Sequence, residues 1–200
     1  MKSYKVKKTC GAPDWSAIPV MPIDTLLWTD SIDISAQAQI CWDETALYVR
    51  LAAREKDIRM EECGLLSEVC EDSCLEFFLQ PTERADYFNF EMNPNRAIYL
   101  GYGTNVENLI RLIVPNVEKM LDSKVEFTAD GWVLTYQIPF AFIRRFFPEF
   151  KAEAGAQMRA NAYKCGDKTA KPHFLAWSPI DLPEPAFHCP QFFGLLILEA

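Results

Sequence analysis

The stretch Asp72–Arg96, DSCLEFFLQPTERADYFNFEMNPNR, alternates apolar and polar side chains twice, and a short polar loop separates the two runs. Cys74–Gln80 and Tyr87–Asn93 read as two strands of a hairpin, rich in aromatic and β-favouring residues and joined by Pro81–Asp86. Leu75, Phe77, Leu79, Phe88, Phe90 and Met92 fall on one face, which is a core face. Glu76, Phe78, Tyr87, Asn89, Glu91 and Asn93 fall on the other. With Gln80 opposite Tyr87, Glu76 lies directly across from Glu91. Two carboxylates so placed repel unless a cation or a ligand's hydroxyls lie between them. That face is the candidate site.

The same period recurs outward from the hairpin. Ile34–Trp42 and Leu47–Arg54 alternate around the turn Asp43–Thr45, with Ile40, Trp42, Val49 and Leu51 among the inward positions. Ala97–Gly103 is a further strand, placing Tyr99 beside Glu91. Lys124–Ala129 and Trp132–Pro139 flank Asp130-Gly131, the strongest short-range turn signal in the chain. Gln157–Tyr163 alternates with Arg159 and Asn161 on one side, and Phe193–Leu198 is a closing buried strand. Residues 2–8 read as an edge strand and Ala141–Phe147 as a short helix stopped by Pro148. Lys56–Val69 reads as a long loop with room for one helical turn, and Asn105–Leu121 is unassigned between strand and helix. The tail PHFLAWSPIDLPEPAFHCPQ reads as proline-broken loop. Nine to eleven short strands without a βαβ rhythm define an all-β protein, an antiparallel β-sandwich with one or two short helices. No linker or repeat divides residues 1–200, which read as one domain.

Composition narrows the function. A net charge of −8 argues against nucleic acid or an anionic membrane as partner. No run of about 18 apolar residues is present to span a membrane. The seven cysteines have no regular framework, and the basic N-terminus has no apolar stretch behind it, so the expected compartment is the cytoplasm. Neither of the two histidines stands at ligand spacing, so no metal site is expected. Nothing in the sequence sets the oligomeric state.

Several segments, in order, resemble the family 9 carbohydrate-binding modules and their stand-alone bacterial relatives: WDETALYVRLAAREKDIR, EDSCLEFFLQP, YFNFEMNPNRAIYLGYG, GWVLTYQIPF, RANAYKCGDK, PHFLAWSPI and FHCPQFFGLLIL. The resemblance spans about residues 28–198. It implies a DOMON-type, immunoglobulin-like or jelly-roll-like sandwich that binds sugar without catalysis, in the setting of polysaccharide breakdown. It assigns the polar positions to Glu76, Arg96 and Asn161, while the positions of the family's clamping tryptophans fall near Cys70 and Lys164. The family's calcium is the one cofactor it implies, with no clear carboxylate cluster to match it; otherwise no cofactor is expected.

Sugars are held by aromatic faces and by planar polar groups that each satisfy hydroxyls. The candidate sugar-binding residues are Glu76, Arg96, Asn161, Glu91, Asn93, Tyr87, Tyr99, Arg159 and Trp177, with Asn89 on the same face and Trp15 a second irregularly placed tryptophan. The plain alternative is a solvated face in which Arg96 or Arg159 neutralises the two acids. A glycoside-active enzyme using Glu76 and Glu91 is the sharper alternative, because retaining enzymes hold two carboxyls about 5–5.5 Å apart. An interaction domain without sugar binding completes the alternatives, with haem ligation through Met92 and His173 or His188, which the superfamily resemblance implies. Trp28, Trp42 and Trp132 read as core by period.

Overall fold

The computed structural model describes residues 1–30, 32–64 and 66–200. The residue at position 65, inside the expected loop 56–69, lies outside them. In chain order the strands begin with β1 (Ser3–Lys8), β2 (Met21–Ile23), β3 (Thr25–Leu27), β4 (Ser35–Trp42) and β5 (Ala46–Arg54). Next come β6 (Cys74–Gln80), β7 (Tyr87–Met92), β8 (Ile98–Gly103), β9 (Ile110–Arg111) and helix α1 (Val117–Leu121). The chain ends with β10 (Lys124–Phe127), β11 (Gly131–Pro139), helix α2 (Phe140–Phe146), β12 (Gln157–Cys165), β13 (Phe174–Ala176) and β14 (Gly194–Leu198).

One sheet grows from the β4–β5 hairpin. The Asp43 carboxylate accepts from the Thr45 amide and hydroxyl, the Ala46 amide and the Tyr48 hydroxyl, and so builds the turn that sets the register Trp42↔Leu47. β11 pairs along the free edge of β5, β10 closes beyond it, and β2 lies on β4. The second sheet runs β12-β6-β7-β8-β9; β14 and β13 share the other edge of β12, and β3 pairs with β13. The expected hairpin register is present, with Glu76 opposite Glu91.

β1 is not an edge strand. Ser3–Val6 runs parallel to β14 in the second sheet, and Lys7–Lys8 runs parallel to β4 in the first. The sandwich is therefore mixed rather than wholly antiparallel. Tyr4 and Val6 point inward from this strand, and the Tyr4 hydroxyl donates to the Pro19 carbonyl. A six-residue strand gives too short a period to separate an edge from a seam between sheets.

The inner faces carry the expected rows: Ala36, Ala38, Ile40 and Trp42; Leu47, Val49 and Leu51; Leu75, Phe77 and Leu79; Phe88, Phe90 and Met92. Helix α2 closes one end, with Phe142 and Phe146 against Phe88 at ring separations of 5.2 and 5.1 Å. The unassigned stretch 105–121 holds a single 3-10 turn, the two-residue β9 and the five-residue α1. The tail contains a strand, β13, which the prolines on either side conceal from sequence reading.

Candidate functional site

Two rows cross the outer face of the second sheet. Tyr163, Glu76, Glu91 and Tyr99 are successive cross-strand partners, and Asn161, Phe78, Asn89 and Gly101 form the next row. This face is not open to solvent. Residues 177–193 fold back over it and place Phe187 flat on Tyr163, with ring centroids 4.0 Å apart, and His188 over Phe78 at 4.9 Å. Phe78, Tyr87, Tyr163, Ala176, Ile180 and Phe193 make a second apolar core under this roof.

The roof stops short of the acid pair and leaves a cleft of about 350 Å³. Glu76 and Glu91 are its floor. Trp28, Phe174 and Phe187 form an aromatic wall, and Cys70, Asp167, Cys165, His188 and Cys189 line the rest with Val106, Pro185 and Ala186. Trp28 is thus a wall residue and not part of the main core. Its backbone is left-handed (φ 49°), and its indole N–H donates to the Leu182 carbonyl at 2.7 Å, fixing the ring against Phe174 and Phe187.

Burial pushes the Glu76 carboxyl well above the usual carboxylate range, and the neighbouring Glu91 pushes it further. Glu91 is pushed up to about 7, first by burial, against the pull of the Asn89 amide and Arg111. The Asn89 side chain donates to Glu91 Oε1 at 2.6 Å, and the Cys165 thiol donates to Glu76 Oε1 at 2.9 Å. Gly101 makes this possible: a Cβ there would lie 2.1 Å from Asn89 Oδ1. Near neutrality the acid pair keeps a proton, so the floor presents both a donor and an acceptor. Asp167 is raised by burial and by Glu71, and burial lowers His188 to about 4, so its ring is neutral and bonded to the Tyr87 hydroxyl through Nδ1 at 2.9 Å.

The other residues of the sequence-based site are not gathered in this cleft. Arg96, in a left-handed turn position, reaches the Ser123 carbonyl at 3.5 Å instead. Asn161 is fully buried, and its amide group bonds the backbone of Ser178 in both directions. Asn93 spends its side chain on Glu62, Asp72 and the Ala97 amide, which holds the turn after β7. Arg159 donates to the carbonyls of Gln191 and Phe193 and anchors the roof. Tyr87 is buried beneath His188, while Tyr99 carries the Arg111 guanidinium 4.2 Å above its ring. Trp177 is packed in the main core, against Gly194, where a Cβ would lie 2.5 Å from its ring. Trp15 is half-buried in a 3-10 turn whose carbonyl accepts from Gln39. Met92 faces the inter-sheet core, His173 bonds Lys164, and His188 belongs to the roof, so the three share no haem site.

A β-sandwich whose outer face is roofed by its own tail, leaving an aromatic-walled cleft over paired acids, is the class that fold and site define. The family described as Carbohydrate-binding family 9 matches residues 12–198, and the chain belongs to that family. A candidate carbohydrate-binding protein from Bacteroides uniformis ATCC 8492 is 31% identical over 99% of both chains, with a TM-score of 0.84. A family 9 module from Caldicellulosiruptor kristjanssonii, solved with cellotriose, is 14% identical with a TM-score of 0.69, covering 99% of this chain and 94% of that one. A structure of a family 9 module from the same organism with glucose is 15% identical with a TM-score of 0.70, covering 99% and 96%. These last two share the fold. No curated protein sequence matches the chain.

Proposed function

We propose that this protein is a non-catalytic carbohydrate-binding protein, and that a saccharide occupies the cleft over Glu76 and Glu91. One observation carries the location: the aromatic wall of Trp28, Phe174 and Phe187 meets the acid pair within a single cleft. Flat rings pack against the C–H face of a sugar, while a carboxyl pair holding a proton bonds hydroxyls as donor and acceptor. A volume of about 350 Å³ is at the small end for ligand clefts, which suits the end of a saccharide better than the length of a polymer. The Bacteroides relative and the family 9 modules with glucose and cellotriose support this ligand class. The sandwich architecture also supports grouping the fold with the DOMON-type sandwiches.

Hydrolysis needs one carboxylate free to attack or to activate water. Glu76 instead shows the cleft only a sliver of its surface and is bonded to the Cys165 thiol, which fits binding rather than turnover.

Substitutions test the location. Glu91→Gln should weaken saccharide binding by about tenfold or more, since hydrogen bonds to charged groups are worth roughly 1.5–3 kcal/mol, and Trp28→Ala should weaken it comparably by removing a ring from the aromatic wall. Arg96→Ala should leave affinity unchanged. Calorimetry on the three variants decides, and equal affinities for wild type and Trp28→Ala would move the sugar elsewhere.

A further inference from the structure

Below the cleft floor, Cys74 and Cys165 face each other across the β6–β12 pair, and Glu76 follows Cys74 two residues along the same face. The Cys74 Sγ, the Cys165 Sγ and a Glu76 carboxylate oxygen all lie within 4.8 Å of one another, and all three residues are buried. Among the described residues no lysine or arginine forms an ion pair with Glu76, whose cross-strand neighbour is a second acid; the buried Lys164 pairs with Glu55 instead. A buried acid with a thiol for a partner and a carboxyl beside it lacks a cation. Leaving it so is costly unless a proton or a metal ion fills the gap.

We propose that Cys74, Cys165 and Glu76 form a binding site for a thiophilic divalent cation of the Zn²⁺ class. Zinc takes thiolate sulfur at about 2.3 Å and carboxylate oxygen at about 2.0–2.2 Å. Tetrahedral coordination therefore sets its ligand atoms roughly 3.5–3.8 Å apart, inside the 4.8 Å that encloses the cluster, with the Cys165 Sγ–Glu76 Oε1 contact opening from 2.9 Å. Two sulfur ligands select zinc over calcium or magnesium, which prefer all-oxygen shells. Binding exchanges protons for metal: one Zn²⁺ enters as the two thiol protons and the Glu76 proton leave, with no change of oxidation state. Glu76 and Cys165 also line the cleft, so the fourth coordination position opens towards it, where water completes the shell. Sequence spacing could not reveal this site, because Glu76 and Cys165 stand 89 residues apart and only strand pairing joins them.

The test uses the full-length protein, reduced and freed of metal by a chelator, with no saccharide present. Co²⁺ should bind at one equivalent with a thiolate-to-cobalt charge-transfer band, and Zn²⁺ should displace it and raise the melting temperature. Cys165→Ser and Cys74→Ser should abolish the band, Glu76→Gln should weaken Zn²⁺ binding at least tenfold, and Cys63→Ser, which alters an exposed thiol, should change nothing. A wild-type protein without saturable Co²⁺ binding overturns the proposal, whatever the variants do. So does a Cys165→Ser variant, or a Cys74→Ser variant, that keeps the band. Saccharide binding measured with chelator present is a separate experiment, so either result stands without the other.

Discussion

Glu91 owes its position to two small choices. Asn89 bonds its carboxylate, and Gly101, having no side chain, leaves Asn89 the space to do so. The acid is held where burial pushes its pKa from 4.5 up to about 7. The folded protein therefore keeps a proton that the unfolded chain releases, and the stability this brings is full below about 4.5 and lost as pH rises towards 7. His173 and His188, lowered to about 4, act in the opposite sense and cost stability as pH falls below 6.5. Comparison with Glu91→Gln isolates the acid. Between pH 4.5 and 7 the wild type should lose stability relative to the variant, by at most roughly 1.4 kcal/mol per pH unit. Denaturant midpoints across that range provide the check, and parallel curves would contradict the assignment. The pairing of Glu76 with Glu91 was legible from period together with the hairpin closing at Gln80 and Tyr87. The support from Gly101 was not, because a strand glycine has no period to read.

At the scale of elements, strands of four or more residues were legible and those of two or three were not. β4, β5 and β11 came through because each residue repeats the same in-and-out instruction. β2, β3 and β13 have three residues each, and what defines them is the partner they meet rather than their own pattern. The roof over residues 177–193 shows the same limit, since its Phe187 and His188 lie among prolines where neither period applies. Asn161 ties that roof down. Asn161→Ala would orphan the amide and carbonyl of Ser178, at a cost of roughly 1–3 kcal/mol. The variant should melt earlier and lose sugar affinity through a loosened roof. Proteolysis near residues 178–190 should accelerate with it, and unaltered cleavage rates would argue against this bracing role.

For the whole molecule, the sandwich was legible because most of its strands share one core, and no local error could reverse so many agreeing faces. The outer face misled for the converse reason. A polar row next to aromatic residues reads as a solvated surface until a distant segment covers it, and only tertiary packing supplies that cover. The cover is also what makes a site: it turns a sheet face into a cleft with a floor of two acids and a wall of three rings. Calorimetric titration of the wild-type protein with a panel of mono- and oligosaccharides, including glucose and cellotriose, tests this most directly. The account predicts saturable binding at one site per chain to at least one member of the panel, abolished or strongly weakened by Trp28→Ala. No saturable heat from any saccharide, with the protein folded and the cleft residues intact, would contradict it.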